Sequence, residues 1–500
     1  MNPVSNCPLL ALLLRNALAN PTRDVLCWVD TEGRILRLQG DALLGHTLVL
    51  ASSMLDQGLQ PAQVVALQLQ DPKAFALAFC ATLLAGGVAF PMVHDLPSAQ
   101  REAVLRQAKA ALWIGDLDAP TTLPAWNIDH LWHHATGRRG RERAFPPRAP
   151  EDPAYLLFTS GSSGHPRGVL HAHRVLQGRT PIRDGWTGLD TDDRVMVTSA
   201  LSWSYGLGVG FLDALRWGAT PLVLSPQTEA DAWPQWAARW GCTVLATVPG
   251  WIRRFLRTSP QGWTQVTTLT RTLSAGEALP DTLREAWTHA TAAPVYEALG
   301  MTECSTYVSS GPSAPPRPGL VGKIQPGRKI VVLPDQDDTL PCAPGQEGVL
   351  AIHQDEPGLM LGYLETHPDD DARWRGPYFL TGDHVRVEAD GYLRSLGRKD
   401  HQLNPGGYRV SALEIEGLLT QHPAVDAALV FERPLGGNRR VLAALLVGHS
   451  PGDCGWDAWC QAHLAKHQRP RWVRWLDALP TNPNGKVDRA AIVTWAAAQP

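Results

Sequence analysis

Tyr155 to His173 reads YLLFTSGSSGHPRGVLHAH, an apolar run that breaks into Thr-Ser-Gly-Ser-Ser-Gly and resumes as a second apolar run after Pro166, Arg167 and Gly168. Glycines let the backbone turn so that successive N–H groups face one concavity, and the hydroxyls add donors. Such a nest suits a polyphosphate, although a Ser/Gly-rich loop on its own is more often a flexible turn. The flanking strand and the cation of Arg167 favour the phosphate reading. The loop is not that of the P-loop NTPases, because the fifth position after Gly161 is Pro166 rather than glycine and no lysine follows.

Around this loop, short apolar segments alternate with helical patterns. VVALQLQ (64 to 70) precedes a small-residue helix over about Lys73 to Ala85, a Gly86-Gly87 turn and VAFPMV; PLVLS (221 to 225), a Trp-rich helix to about Trp240 and TVLATVP (243 to 249) repeat the rhythm. This predicts a largely parallel sheet covered by helices. Arg138 to Pro153 and Gly311 to Pro318 are too rich in proline and charge for core elements and read as surface connectors. After Arg398 a helix (SALEIEGLLTQHP), two strands (DAALVFE, VLAALLV) and a last helix over about Gly455 to His467 form a separate α+β unit. The expected architecture is α/β: a large N-terminal domain of mixed sheets flanked by helices over residues 1–397, and a small mobile α+β domain over 398–500.

Five hundred residues, 44% hydrophobic and 19% charged, can bury ample core, and a net charge of -3 supplies no basic field for nucleic acid. No run is long enough to span a membrane. The apolar stretch Pro8 to Ala19 has no preceding basic residue and is interrupted by Arg15, which argues against a secretory signal. Eight scattered cysteines without a Cys-x-x-Cys pair fit reduced thiols in the cytoplasm. Of 45 basic residues only seven are lysines, among them Lys486.

The loop at 159 to 168 is similar to the hallmark of the acyl-adenylate-forming superfamily, which includes acyl-CoA and aryl-CoA synthetases, luciferases and peptide-synthetase adenylation domains. The resemblance recurs in order: SAGEALP (274 to 280), EALGMTE (297 to 303), GVLAIHQDEPGLMLGY (348 to 363), YFLTGD (378 to 383), LGRKD (396 to 400) with GGYRVSALEIE (406 to 416), and PTNPNGKVDR (480 to 489). It implies that Thr159, Ser160, Gly161, Ser162, Ser163, Gly164, Arg167 and Gly168 hold the ATP phosphates. Gly276, Glu277 and Ala278, with Glu297, Ala298, Leu299 and Gly300, form the adenine and magnesium segments. Glu303 is the Mg²⁺ ligand and Thr302 contacts the α-phosphate; Asp383 and Arg398 serve the ribose. Lys486 bridges the acid and the α-phosphate. Asp400 is the hinge for domain alternation, and Gly406 and Gly407 line the path of a pantetheine arm.

The acid site implied by the same resemblance is Trp203, Ser204, Tyr205, Gly206, Val248, Pro249 and Trp251, beside Gly276 and Ala298. Bulky aromatics there favour a flat or short acid, and no aspartate in LSWSYGLG (201 to 208) pairs an amino-acid ammonium. Arg167, His401 and Asn404 depart from the usual pattern, and Leu299 stands where an aromatic is usual; benzoate-type ligases share an aliphatic residue at that position. His171 and His173 are expected to pack rather than bind metal. The expected activity is formation of an acyl-adenylate from ATP and a small carboxylic acid, then transfer to the thiol of CoA. The alternatives are transfer to the phosphopantetheine of a separate carrier protein, and a non-catalytic nucleotide binder. Monomer and homodimer are both compatible with the sequence.

Overall fold

The computed structural model describes the chain except residues 1–3, 95, 97, 119, 121–122, 128–129, 131–132, 134–142, 160–166, 226, 337, 369, 399–401, 404–409, 435–439, 449–455, 465–467, 482–486, 488 and 498–500. A nine-stranded sheet runs, from edge to edge, Lys323–Ile324, Ser305–Ser309, Val295–Met301, Arg271–Ala275, Val244–Thr247, Arg194–Val197, Thr220–Val223, Asp24–Val29 and Ile35–Gln39. Its central strands are parallel and its edges antiparallel. A seven-stranded sheet holds Val64–Gln68, Val88–Pro91, Ala110–Gly115 and Pro153–Thr159 in parallel, with Arg167–Ala172 and Gly362–Tyr363 antiparallel at one side.

Both parallel cores are buried on two faces, which is why Val64–Gln68 and Val244–Thr247 are buried along their whole length. The covering helix Pro72–Leu84 starts where Asp71 accepts the Ala74 N–H at 2.6 Å, with proline in its first turn. The Trp-rich helix Trp233–Trp240 stops at Gly241, in the left-handed conformation. The apolar stretch Pro8–Ala19 forms two short helices that pack into the core.

Two features lie outside the parallel pattern. A third sheet, Ile330–Leu333, Glu347–His353, Tyr378–Val387, Trp374–Arg375 and Leu393–Arg398, is wholly antiparallel. In the C-terminal region the expected strands appear as the hairpin Val425–Pro434 and Arg440–Gly448, but a further strand, Trp472–Leu476, adds in parallel. Helices Ala412–Leu419 and Arg489–Ala497 cover opposite faces of that sheet.

The parallel strands decide where chemistry can occur. Thr198 to Trp203, Val248 to Trp251, Gly276 to Leu279 and Thr302-Glu303 all follow the C-terminal ends of strands in the nine-stranded sheet. The Ser/Gly-rich segment follows the C-terminal end of Pro153–Thr159 in the other sheet. Loops at such ends are where open α/β sheets bind ligands.

Candidate active site

Pro153–Thr159 and Arg167–Ala172 form an antiparallel hairpin in which Thr159 faces Arg167, so these two residues frame the segment 160–166. Ser160, Gly161, Ser162, Ser163 and Gly164 lie outside the described residues. Gly168 is closely packed: a Cβ there would come within 2.7 Å of Leu364 Cδ1, so that side chain would have to shift. That approach seats Gly362–Tyr363 against the hairpin, with Tyr363 opposite Val169.

From this position Tyr363 joins the two sheets. The Arg167 guanidinium lies 3.5 Å above the Tyr363 ring and donates to Asp370 Oδ1 at 2.6 Å. The Tyr363 hydroxyl donates to Glu303 Oε1 at 2.6 Å and accepts from Arg373, whose guanidinium is 3.6 Å from the same carboxylate oxygen. Burial, then the Glu303 charge, push the Tyr363 phenol up, so it stays a donor at neutral pH. Burial pushes the Asp370 carboxyl up, but the His367 N–H and Arg167 together hold it below its ordinary value. The sequence reading assigned no role to Tyr363, Asp370 or Arg373. Tyr363 ended a quoted motif, whereas the other two sit in a charged run that resembles any solvated loop.

Glu303 is buried at the turn after Val295–Met301, and its carbonyl accepts the Met360 N–H at 2.8 Å. The Thr302 carbonyl accepts from His171 Nε2 at 2.9 Å, and the His171 ring stacks on Tyr155 at 4.7 Å. Desolvation lowers His171 to about 4, and it lowers His173 likewise to about 4. Both are buried packing groups. Asp383 Oδ2 accepts from the buried Tyr307 hydroxyl at 2.6 Å, and Asp383 faces Arg398 across the strand pair. Asp400, His401, Asn404, Gly406, Gly407 and Lys486 lie outside the described residues.

Two residues of the expected adenine segment are committed elsewhere. Glu297 is buried; its Oε1 accepts the Leu279 N–H at 2.9 Å and its Oε2 accepts from Arg284 at 2.7 Å. Burial pushes this carboxyl up, to about 7, against the pull of Arg284 and Leu279. Glu277 Oε1 accepts the Val487 N–H at 2.5 Å. Gly276 takes φ +95, Ala278 is exposed, and Gly300 is pressed against the returning strand, where a Cβ would meet the Ser305 carbonyl at 2.6 Å. Leu299 is half-buried beside the hydrophobic cluster under Tyr307.

The expected acid site resolves into floor and rim. Tyr205, Val248 and Ala298 are core, and the Tyr205 hydroxyl donates inward to the Leu273 carbonyl at 2.8 Å. Gly206 and Pro249 are buried, while Ser204 is half-buried at the start of the helix Ser204–Leu207. Trp203 and Trp251 pack on this cluster half-buried. Trp203 meets Tyr205 edge-on at 5.9 Å, and Trp251 begins an aromatic row with Trp233 and Phe255.

Among the described residues no three His, Cys, Asp or Glu side chains gather into a metal site. A single carboxylate such as Glu303 fits a hard cation that takes its other ligands from substrate phosphates and water, as Mg²⁺ commonly does. The assembled elements define an α/β enzyme in which Thr159 and Arg167, at the two ends of a hydroxyl- and glycine-rich segment, are linked through Tyr363 to the buried Glu303 carboxylate. The chain belongs to the AMP-binding enzymes, whose family pattern matches residues 15–364. It is 32% identical over 468 residues to the phosphinothricin tripeptide synthetase PhsC of Streptomyces viridochromogenes, covering 89% of this chain but 41% of that protein. It is 28% identical to the 3-hydroxybenzoate/4-hydroxybenzoate CoA ligase of Thauera aromatica, covering 68% of this chain and 66% of the ligase. Its fold matches the anthranilate CoA ligase AuaEII, solved with anthranoyl-AMP, at a TM-score of 0.86 over 98% of both chains and 23% identity.

Proposed function

We propose that the protein is a Mg²⁺- and ATP-dependent acid:thiol ligase. A carboxylate oxygen of the acid attacks the α-phosphorus of ATP and pyrophosphate leaves; a thiolate then attacks the acyl carbon and AMP leaves. The observation that carries this reading is the chain Arg167, Tyr363, Glu303, which ties the root of the Ser/Gly loop to the buried Glu303 carboxylate at the neighbouring sheet end.

Within this reading, Thr159 and the hydroxyls and N–H groups of Ser160 to Gly164 hold the β- and γ-phosphates. Arg167 adds charge at the loop's exit. Glu303 would hold Mg²⁺, which neutralises phosphate charge when bound. Tyr363 and Arg373 fix the orientation of the Glu303 carboxylate. Asp383, steadied by Tyr307, accepts from the ribose hydroxyls. Lys486 stabilises charge developing between the acid and the α-phosphate. Residues 398–500 alternate about Asp400 to present first Lys486 and then Gly406-Gly407.

Trp203 and Trp251, half-buried over a floor of Tyr205, Val248 and Ala298, support a flat aromatic or short acyl acid as substrate, with CoA as the thiol. The identity to PhsC, a synthetase much longer than this chain, favours a second reading in which the thiol is carrier-protein phosphopantetheine. Seven described cysteines are free, six of them buried, which supports a reducing cytoplasmic setting. No helix among the described residues is long and apolar enough to cross a membrane. Incubation with ATP, acid and thiol should yield AMP and pyrophosphate; ADP and phosphate would contradict the proposal. Rates with free CoA against a loaded carrier protein separate the two thiols.

A further inference from the structure

The end of the nine-stranded sheet opposite the candidate active site carries a cavity of about 400 Å³. Asp190 and Thr191 on its wall precede the strand Arg194–Val197, and Arg216 and Trp217 precede Thr220–Val223, which lies parallel to it. The cavity therefore sits at the N-terminal ends of these strands, whereas Trp203, Trp251 and Glu303 follow C-terminal ends. Gly218 ends the helix Ala214–Trp217 at φ +78. Its turn is close-packed: a Cβ there would meet Thr191 Cγ2 at 3.0 Å and Asn16 Cγ at 3.3 Å. Those contacts gather the N-terminal helices, the loop before Arg194 and the Trp217 helix end around one space.

Its charge is unbalanced. Arg15, Arg183 and Arg216 line it against Asp190 alone. Among the described residues Arg15 and Arg216 make no ion pair, and Arg183 pairs only with the exposed Asp184, at 3.4 Å. Arg216 is buried, yet its guanidinium donates to neutral oxygens, the Leu176 carbonyl and Thr180 Oγ1. Asp213 behind it is taken by Arg179 through both oxygens, at 2.7 and 2.5 Å. Burial holds Arg216 below its ordinary value; Asp213 pulls against that, and Arg179 and Arg15 push it further down. A desolvated cation without a carboxylate partner gains from a bound anion.

Trp217 organises these cations. The Arg183 guanidinium lies 4.9 Å and that of Arg216 4.7 Å from its ring centre, so stacking on the indole holds both. Its Nε1 is buried with no partner among the described residues. Guanidinium forks held in place suit the oxygens of a phosphoryl group. Three arginines against one aspartate leave an excess that a phosphate dianion neutralises and a monocarboxylate does not. We infer that this cavity is a second anion site, which takes a small phosphate-bearing molecule through Arg15, Arg183 and Arg216. It uses neither the Ser/Gly-rich loop nor Glu303, so it is separable from the ligase chemistry proposed above.

Titration calorimetry of the full chain with inorganic pyrophosphate, in Mg²⁺-free buffer, should show binding that weakens as salt is added. Arg15→Gln combined with Arg183→Gln should weaken it by about tenfold to a hundredfold, the usual consequence of losing charge-assisted hydrogen bonds. Arg15→Glu, which changes one exposed side chain, should weaken it by about tenfold. Both variants should keep the wild-type melting temperature and the wild-type kcat in Mg²⁺-dependent ATP–pyrophosphate exchange. Competition by AMP would assign the bound phosphate to a nucleotide, and binding indifferent to AMP would assign it to the free ion. No binding by the wild type, or equal affinity in the variants, would overturn the inference. So would a loss of exchange in parallel with binding, which would place these arginines at the catalytic end. If the wild type showed no exchange with any acid, the ligase reading would fall and the calorimetry would still decide this site.

Discussion

The strand Val295–Met301 runs between two buried glutamates with opposite fates. At its start, Glu297 accepts the Leu279 N–H on one oxygen and an Arg284 N–H on the other. Just past its end, the described hydrogen bond and ion pair of Glu303 both fall on Oε1, from Tyr363 and Arg373. Burial is similar at the two sites, at 5% and 7% exposure, so burial does not separate them. What separates them is how the oxygens are used. A carboxylate with both oxygens bound to protein is scaffold; one gripped from a single side is oriented for a ligand. The scaffold also holds the loop from which Glu277 reaches Val487.

This contrast can be broken by experiment. Glu303→Gln should lower pyrophosphate exchange by about 10² to 10³, the usual cost of losing one preorganised electrostatic contact, with an unchanged melting temperature. Glu297→Ala should behave in the opposite way, destabilising the fold by about 3 to 5 kcal/mol in denaturant titration because it strands Arg284 and the Leu279 N–H. If Glu297→Ala left stability intact and cut activity, the division of labour would be wrong. A smaller effect is expected for Tyr363→Phe: about tenfold in exchange rate, from the lost hydrogen bond to Glu303, with a higher Mg²⁺ concentration needed for half-maximal rate.

A pH-dependent effect concerns the packing behind Thr302. His171 and His173 fall from 6.5 to about 4 through desolvation, so the folded state prefers them neutral. His171 donates through Nε2, and its Nδ1 is buried without a partner among the described residues for a second proton. Stability from the neutral rings is complete above about pH 6.5 and is lost as pH falls towards 4, by at most about 1.4 kcal/mol per pH unit for each histidine. The stability difference between wild type and the double variant His171→Gln, His173→Gln should therefore shrink over that range. A constant difference would mean that the rings titrate normally.

Much of the large domain was legible because parallel strands buried on both faces leave unmistakable apolar runs, as in VVALQLQ and TVLATVP. The antiparallel third sheet was not, since its strands mix charged and apolar residues, as in YFLTGDHVRV. At the site, short motifs located Glu303, Asp383 and Arg167, but a motif reports residue type and not partners. It grouped Glu297 with Glu303 and could not tell that Glu277 faces Val487. Arg373 and Asp370 reach the site only because the chain folds back through Tyr363, a long-range contact without local signature. The scarcity of lysine gains meaning at Arg167. Its flat guanidinium covers the Tyr363 ring while its NH2 reaches Asp370, a geometry that an ammonium does not reproduce. Arginine there is built into the site.

The central claim is that these elements activate a carboxylic acid through its adenylate. ATP–pyrophosphate exchange, run across a panel of aromatic, short aliphatic and amino acids, tests it most directly. The account predicts exchange that requires Mg²⁺ and an acid, is strongest with an aromatic or short acyl acid, and disappears in Lys486→Ala. Nucleotide binding without exchange for any acid would contradict it.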